Sequence, residues 1–133
     1  MSAVAPDKQG SESVRICLTG GAGYIGSHTC LELLNANFNV LVYDNLKGGS
    51  FEAVKRVESI SGKSLKFIHS DLLNYLDLKE VMIKFEPDIV LHFAGLKSVS
   101  DSIKDPLSYY TNNVIGSINL LNAMSCSSSN EMS

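Results

Sequence analysis

Short apolar runs alternate along the chain with longer segments in which apolar residues recur every three or four positions. The four runs, residues 14–19, 40–44, 65–69 and 88–93, have the length and the β-branched, leucine-rich character of strands. Because they are almost continuously apolar, they are typical of parallel strands covered on both faces. The pattern therefore predicts an α/β domain in which strands and helices alternate.

The segments that follow these runs carry apolar stripes at helical spacing, and we interpret each stripe as a helix face packed toward the sheet. The stripes are Cys30, Leu33 and Leu34; Phe51, Val54 and Val57; Leu78, Val81, Met82 and Phe85; and Val114, Ile118 and Leu121. Right-handed crossovers then give a Rossmann-like, doubly wound parallel sheet, incomplete at about four strands, in the order 3-2-1-4. A ligand crevice is expected beyond the carboxyl ends of these strands.

The bounds of the domain follow from where the periodic pattern starts and stops. Residues 1–13 are polar and include Pro6 and Gly10, so we expect a disordered tail. Residues 14–124 form the predicted domain. Residues 125–133 are predicted to be a second polar tail, which contains the run Ser127-Ser128-Ser129.

Composition narrows the class of function. The 133 residues are 44% hydrophobic and 19% charged with a net charge of −3, as in an ordinary globular domain. Lys and Arg form no run that would attract a phosphate backbone, and no apolar stretch approaches the roughly 20 residues that span a bilayer. We therefore expect a cytoplasmic protein without a nucleic-acid or membrane partner. Three widely spaced cysteines, without a Cys-x-x-Cys pair, argue against a disulfide framework and a metal site.

A glycine-rich segment directly after the first strand suggests a phosphate-binding turn. Thr19 to His28 read TGGAGYIGSH, which satisfies G-x-G-x-x-G, and a helical pattern follows at once. Glycines there permit a tight turn and close approach of a pyrophosphate, while the helix start supplies N–H groups and partial positive charge. Asp44 ends the second strand eighteen residues beyond Gly26, where a carboxylate can accept hydrogen bonds from a ribose. Together they predict a dinucleotide site that favours NAD over NADP, a preference softened by the nearby Lys47.

The ends of the third and fourth strands add candidates for the same crevice. Asp71 and Leu72 can offer an acceptor to an adenine amine and an apolar flank to its ring, although Asp71 can equally be a helix N-cap. Phe93, Ala94, Gly95 and Lys97 place small residues where the backbone approaches a cofactor, followed by a cation. We expect His92, between two apolar residues on the same strand, to be a satisfied core histidine rather than a base.

Four motifs resemble those of the UDP-glucose 4-epimerases, a family of extended short-chain dehydrogenases/reductases. They are TGGAGYIGSH at residues 19–28, Asp44-Asn45-Leu46, HFAGLK at residues 92–97, and YYTNNV at residues 109–114. The resemblance runs from about Val14 to Met124. The sequence departs from the usual family pattern at Lys47-Gly48-Gly49 and at Ser98, Ser100 and Asp101.

The resemblance implies a role for each matching residue. Gly20, Gly23, Tyr24, Ile25 and Gly26 would hold the pyrophosphate of NAD, Asp44 and Asn45 the adenosine ribose, and Asp71 and Leu72 the adenine. Phe93 and Lys97, with Ala94 and Gly95 between them, would face the nicotinamide side, and Asn112 would lie in the same crevice. The family interconverts UDP-galactose and UDP-glucose by passing a hydride to NAD and back, and it forms homodimers.

The catalytic Tyr-x-x-x-Lys of the family is expected after Asn112, and no such motif follows Asn112 in these 133 residues. Tyr43-x-x-x-Lys47 and Tyr75-x-x-x-Lys79 match the spacing but precede Asn112. We therefore assign no catalytic residue and expect an N-terminal, cofactor-binding fragment that is inactive alone. The alternatives are a noncatalytic NAD-binding or dimerisation module derived from an epimerase, or part of another NAD-dependent sugar-nucleotide enzyme.

Overall fold

The computed structural model describes residues 13–127 and contains the predicted alternation of strands and helices. In chain order the elements are β1 (Arg15–Thr19), α1 (Tyr24–Asn35), β2 (Asn39–Asp44), α2 (Phe51–Ser61), β3 (Lys66–His69), α3 (Tyr75–Phe85), β4 (Ile89–His92), α4 (Val99–Lys104), α5 (Pro106–Tyr110) and α6 (Gly116–Ser127), with a π-helical turn, Thr111–Ile115, between α5 and α6. Each strand lies within one residue of its predicted bounds.

The four strands form one parallel sheet in the order β3-β2-β1-β4, which confirms the predicted Rossmann-like topology. β1 lies between β2 and β4, and its last residue, Thr19, is in register with Tyr43 and His92. Asp44 at the end of β2 is in register with His69 at the end of β3. All four carboxyl ends therefore meet along one edge of the sheet.

Side chains that alternate along the strands build two separate cores on the two faces of the sheet. Along β1, Ile16 and Leu18 pack on the face covered by α1 and α2, whereas Cys17 points to the face covered by α3 and α6. Both Cys17 and Cys30 are buried, and burial raises the pKa of each thiol to about 12. These two cysteines are therefore packing residues, whereas Cys126 is only half-buried.

The apolar stripe predicted for the last helix is wrong. Val114, Ile118 and Leu121 are 37%, 50% and 63% exposed, and the residues that α6 buries are Gly116, Leu120 and Ala123. The apolar residues of this segment fall on two faces of the helix. The face with small residues is the buried one, because small residues allow close packing on α3 and on the turn before it. A Cβ on Gly116 would lie 3.3 Å from the Cβ of Leu72. Phe51, predicted to be buried at the start of α2, is 45% exposed.

The ends of the chain can be compared only in part with the predicted tails. Residues 1–12 and 128–133 lie outside the described residues. α6 continues through Ser127, three residues beyond the predicted boundary at Met124, so the start of the second predicted tail is helical. Between residues 13 and 127, no helix combines the length and the apolar character that a membrane span requires.

Candidate functional site

The turn after β1 depends on glycine because three parts of the backbone meet there. Gly20 has a φ of +75°, and a Cβ at this position would lie 2.5 Å from the Ala94 nitrogen after β4. A Cβ on Gly26 would lie 2.2 Å from the Gly20 oxygen, so Gly26 lets the first turn of α1 sit directly on the glycine turn. Gly23 differs, since its nearest neighbour would be the Gly20 oxygen at 3.4 Å. Close backbone packing therefore requires Gly20 and Gly26, whereas a Cβ at Gly23 would make only ordinary contacts, with the Gly20 oxygen and the Gly48 oxygen at 3.7 Å.

The start of α1 is the one helix start among α1 to α5 without a side-chain cap. Ser50, Asn74, Ser98 and Asp105 cap α2, α3, α4 and α5 with their side chains. α1 begins after Gly23 with no capping side chain and no acidic residue in its first turn. The first N–H groups of a helix have no partner inside the helix, and they carry partial positive charge. The end of the helix that faces the crevice is therefore left open to an anion.

Asp44 joins the end of β2 to the glycine turn. The residue is 7% exposed, and its carboxylate accepts hydrogen bonds from the Ala22 nitrogen at 2.9 Å and from the Leu46 nitrogen at 2.7 Å. Each carboxylate oxygen can accept more than one hydrogen bond, so the group retains acceptor capacity toward a ligand. The predicted ribose acceptor and the predicted pyrophosphate turn are thus in direct contact.

The turn between β3 and α3 is held by hydrogen bonds to Asp71. Its carboxylate accepts from the Leu73 nitrogen at 2.9 Å and from Asn45 Nδ2 at 3.1 Å, and Lys47 Nζ lies 3.9 Å away. The cap of α3 is Asn74, so the alternative role of Asp71 as the N-cap is not what the structure has. Leu72 is buried, and its carbonyl accepts from Asn119 of α6 at 2.8 Å.

The segment after β4 is positioned by Asn113, a residue that the sequence analysis missed. Its side-chain oxygen accepts from the Leu96 nitrogen at 2.8 Å, and its Nδ2 donates to the Leu96 oxygen at 3.0 Å. The neighbouring Asn112 donates to the same Asn113 oxygen at 3.2 Å. The only available signal was the Asn-Asn pair in YYTNNV, which does not say that one amide faces the crevice and the other holds the loop.

A cavity of about 490 Å³ opens where these segments meet, at the carboxyl edge of the sheet. Thirteen of the fourteen predicted site residues line it: Gly20, Gly23, Tyr24, Ile25, Asp44, Asn45, Asp71, Leu72, Phe93, Ala94, Gly95, Lys97 and Asn112. Gly26 lies beneath the turn instead. Lining residues that the prediction did not include are Tyr43, Lys47, Gly48, Ser70, Leu96, Ser98, Asp101 and Tyr109.

His92 is satisfied by hydrogen bonds as expected, but it is an exposed residue at the end of β4, so the prediction that it belongs to the core is wrong. Its Nδ1 lies 2.5 Å from Thr19 Oγ1, and its Nε2 lies 3.0 Å from Ser117 Oγ. Ser117 donates its own hydrogen to the backbone carbonyl oxygen of Asn113 at 2.6 Å, so it accepts from the imidazole. Burial lowers the pKa of His92, which favours the neutral ring that this arrangement needs. His92 therefore ties the end of the sheet to α6.

Neither of the two Tyr-x-x-x-Lys pairs has the geometry of a catalytic pair. Tyr43 lies in β2 and Lys47 in the loop that follows, where its amine faces Asp71. Tyr75 and Lys79 lie on α3, outside the cavity lining. Within residues 13–127, no cluster of three or more His, Cys, Asp or Glu side chains could hold a metal ion.

Comparison with known proteins places this chain in a family. The model of the GDP-mannose 4,6 dehydratase family matches residues 17–132. The UDP-glucose 4-epimerase of Dictyostelium discoideum is 52% identical over 110 residues, which are 83% of this chain and 32% of that protein. The chain thus spans about a third or less of the length of the curated relatives it matches.

Solved structures agree with the sequence comparison. The UDP-glucose 4-epimerase of Stenotrophomonas maltophila, with bound NAD and formylated UDP-arabinopyranose, superposes with a TM-score of 0.83 at 40% identity, covering 86% of this chain and 34% of that one. The enzyme of Bifidobacterium longum, in complex with NAD+ and UDP, also has a TM-score of 0.83, at 38% identity and the same coverage. The resemblance to the N-terminal part of UDP-glucose 4-epimerases is therefore confirmed, and the chain belongs to the GDP-mannose 4,6 dehydratase family.

Proposed function

We propose that this chain binds NAD in the cavity at the carboxyl edge of the sheet. The observation that carries the proposal is the contact of Asp44 with the uncapped glycine turn, which sets a ribose acceptor beside an open anion-binding helix start. We call the part of the cavity formed by Asp44, Asn45, Asp71 and Leu72 the adenosine end. The part formed by Phe93 to Lys97 with Asn112 is the nicotinamide end. The pyrophosphate lies between them, on Gly20 and Gly23.

NAD is proposed in preference to NADP because of the charge at the adenosine end. The buried Asp44 carboxylate would repel a 2′-phosphate on the ribose. Lys47, the nearest cation in the sequence, has its amine 3.9 Å from Asp71, which offsets its charge. Lys47 is therefore expected to weaken the preference for NAD over NADP only slightly, although it lies close to Asp44 in the sequence.

We further propose that the chain represents the cofactor-binding part of a UDP-glucose 4-epimerase. The named relatives and solved structures are epimerases, and several hold NAD. NAD would supply the hydride acceptor for the 4-position of a UDP-hexose, while the residues described here hold the cofactor. UDP-galactose and UDP-glucose are the proposed substrates of the complete enzyme. Since no Tyr-x-x-x-Lys follows Asn112 in these 133 residues, the chain alone is expected to bind NAD without turnover.

A second proposed property, self-association, is favoured by the exposed side of α6. Ile118 and Leu121 are 50% and 63% exposed, and Val114, in the π-helical turn before α6, is 37% exposed. Exposed apolar patches of this kind mark contact surfaces. We therefore propose that the complete enzyme is a homodimer and that this helix contributes to its interface, which a cross-linking or sedimentation measurement on an Ile118→Glu variant would test.

Calorimetric titration of the chain with NAD tests the proposed site. Gly23→Val should abolish binding because its side chain would enter the cavity that Gly23 lines, while the melting temperature changes little because a Cβ there makes only ordinary contacts. Asp44→Ala should weaken binding by about 1 to 3 kcal/mol, the cost of losing charge-assisted hydrogen bonds. Unchanged affinity in both folded variants would refute the site.

Turnover is tested separately, by incubating the chain with NAD and UDP-galactose and measuring UDP-glucose. NAD binding without product is the expected result. Product formation would show that the catalytic groups lie within these residues and would overturn the assignment of no catalytic residue.

A further inference from the structure

Among residues 13–127, Tyr43 is the buried aromatic residue that also lines the cavity, next to Asp44 of its adenosine end. It is the penultimate residue of β2, it is 1% exposed, and its ring packs with Cys17, Leu72 and Leu78 beneath α3. A phenol so deeply buried must place its hydroxyl on a partner, because an unpaired buried polar group is costly. The acceptor of the Tyr43 hydroxyl therefore shows which part of the structure this side chain holds in place.

The Tyr43 hydroxyl reaches across to the turn after β3. It donates to the Asp71 carbonyl oxygen at 3.0 Å, and Asp77 Oδ2 in the first turn of α3 is a second acceptor at 3.2 Å. Burial raises the pKa of Tyr43, so the hydroxyl keeps its proton and remains a donor. The hydroxyl hydrogen of Tyr43 therefore links β2, which ends at Asp44, to the turn after β3, which contains Asp71 and Leu72.

The same turn is fixed from its other side. The Leu72 carbonyl accepts from Asn119, and the Asp71 carbonyl also accepts from the Asn74 nitrogen at 2.9 Å. On the side of β2, Asn45 also holds the Asp71 carboxylate, and the Asp44 carbonyl accepts from the Ser70 nitrogen at 3.2 Å. Tyr43 is thus the residue within the sheet whose side chain reaches the Asp71 carbonyl. Removing its hydroxyl takes away the hydrogen bond that fixes the Asp71 carbonyl from the sheet and leaves the backbone hydrogen bond between Tyr43 and Gly20 of the glycine turn in place.

We propose that Tyr43 is a positioning residue for adenine recognition: its hydroxyl holds the main chain of Asp71, so that the Asp71 carboxylate, which keeps spare acceptor capacity, accepts a hydrogen bond from the 6-amino group of adenine. The inference rests on the proposed binding of NAD. A purine with a carbonyl at this position presents an acceptor to an acceptor and is disfavoured. Tyr43 therefore determines how strongly the chain distinguishes adenine from hypoxanthine.

The test is the ratio of dissociation constants for NAD and for nicotinamide hypoxanthine dinucleotide, measured by calorimetry. The unaltered chain should bind NAD more tightly, and Tyr43→Phe should reduce that preference about 3- to 10-fold, as expected for one hydrogen bond. A merely structural tyrosine would lower both affinities together and leave the ratio unchanged. Tyr75→Phe is the matched control, since its hydroxyl faces Cys126 Sγ at 3.7 Å outside the cavity lining, and its ratio should stay as in the unaltered chain.

Asp77→Asn keeps the test decisive if Tyr43→Phe does not fold. This substitution weakens the second acceptor of the Tyr43 hydroxyl and leaves its hydrogen bond to the Asp71 carbonyl. The preference for NAD over nicotinamide hypoxanthine dinucleotide should therefore stay the same or increase. A decrease in this preference would overturn the proposal. An unchanged ratio in folded Tyr43→Phe, or equal binding of the two dinucleotides by the unaltered chain, would also overturn it while NAD binding stands. Failure of the unaltered chain to bind NAD would instead reject the proposed function.

Discussion

The two ends of the cavity are built in different ways. At the adenosine end, Asp44 and Leu72 are 7% and 8% exposed. The carboxylates of Asp44 and Asp71 already accept hydrogen bonds from backbone nitrogens. At the nicotinamide end, Lys97 and Ser98 are exposed, and the helices α4 and α5 bury no residue. The adenosine end is therefore preorganised by the sheet. The geometry of the nicotinamide end depends on a few hydrogen bonds to the loop after β4, chiefly those from Asn113.

The largest effect is expected at Gly49, in the loop that follows Asp44 and Asn45 of the adenosine end, where this loop contacts the glycine turn. A Cβ on Gly49 would lie 2.3 Å from the Ala22 oxygen and 2.8 Å from the Gly23 nitrogen, and both are backbone atoms. Gly49→Ala should lower the free energy of unfolding by about 3 kcal/mol, as overpacking does when the backbone must shift. It should also weaken NAD binding, because the turn is displaced.

Gly48→Ala is the matched control, because a Cβ at Gly48 meets nothing within 4 Å. Urea unfolding of the two variants should give a large loss for Gly49→Ala and a loss below about 1 kcal/mol for Gly48→Ala. Equal stability of the two variants would show that the adenosine end is less tightly packed than the comparison requires.

The next effect is at the nicotinamide end. Asn113→Ala leaves the Leu96 N–H and carbonyl without their partner, at a cost of about 1 to 3 kcal/mol. Because the loop then loses its position, NAD should bind less tightly whereas ADP-ribose, which lacks nicotinamide, should bind as before. Calorimetry with both ligands measures this difference.

The exposed Asn122 of α6 provides the control for this substitution. Asn122→Ala should leave both affinities unchanged. If Asn113→Ala weakened ADP-ribose as much as NAD, the two ends would not be independent, and the contrast between them would fail.

The sequence predicted the strands better than it predicted the last helix, and the reason is physical. The strands are short and continuously apolar, so β1 and β2 have only one way to be buried between two layers of helices. In the segment 106–127, the π-helical turn shifts the residues that follow it, and apolar residues occur on more than one face. Periodicity alone favoured Ile118 and Leu121, whereas close contact with α3 selected Gly116 and Ala123.

The residues of the candidate site also fall into a group that the sequence predicts and a group that it does not. Gly23 and Asp44 could be predicted because chain connectivity places every residue at a strand end near the crevice. Tyr43 and Asn113 could not be predicted, because each holds a neighbouring loop in place through a backbone group that its side chain contacts only in the folded structure. Motifs identify residues that face a ligand more readily than residues that hold those in place.

A smaller effect is expected from pH, through His92 at the junction of the sheet with α6. Burial lowers the pKa of the folded imidazole below that of the unfolded chain, so the unfolded state takes up a proton first as the pH falls. The stabilisation from the neutral ring is thus complete above the ordinary histidine pKa of about 6.5 and is lost as the pH falls below it. Urea unfolding at pH 7.5 and 5.5 should show lower stability at the acidic pH.

His92→Gln removes the titrating group and should flatten this dependence, while His28→Gln, an exposed residue of α1, should leave it as in the unaltered chain. A dependence that persisted in His92→Gln would mean that other groups set it.

The smallest effect is expected from the ion pair of Lys47 with Asp71, although it lies at the better organised end. Lys47 is 63% exposed, its amine is 3.9 Å from the carboxylate, and exposed pairs contribute about 0 to 1 kcal/mol. Lys47→Gln should therefore change the affinity for NAD by less than about 3-fold, similar to Lys84→Gln, whose partner Glu80 lies on the exposed side of α3. Asn45→Ala, which removes the hydrogen bond to the same Asp71 oxygen, should cost more. The reverse order would mean that surface charge, and not the hydrogen bonds of the strand ends, organises the adenosine end.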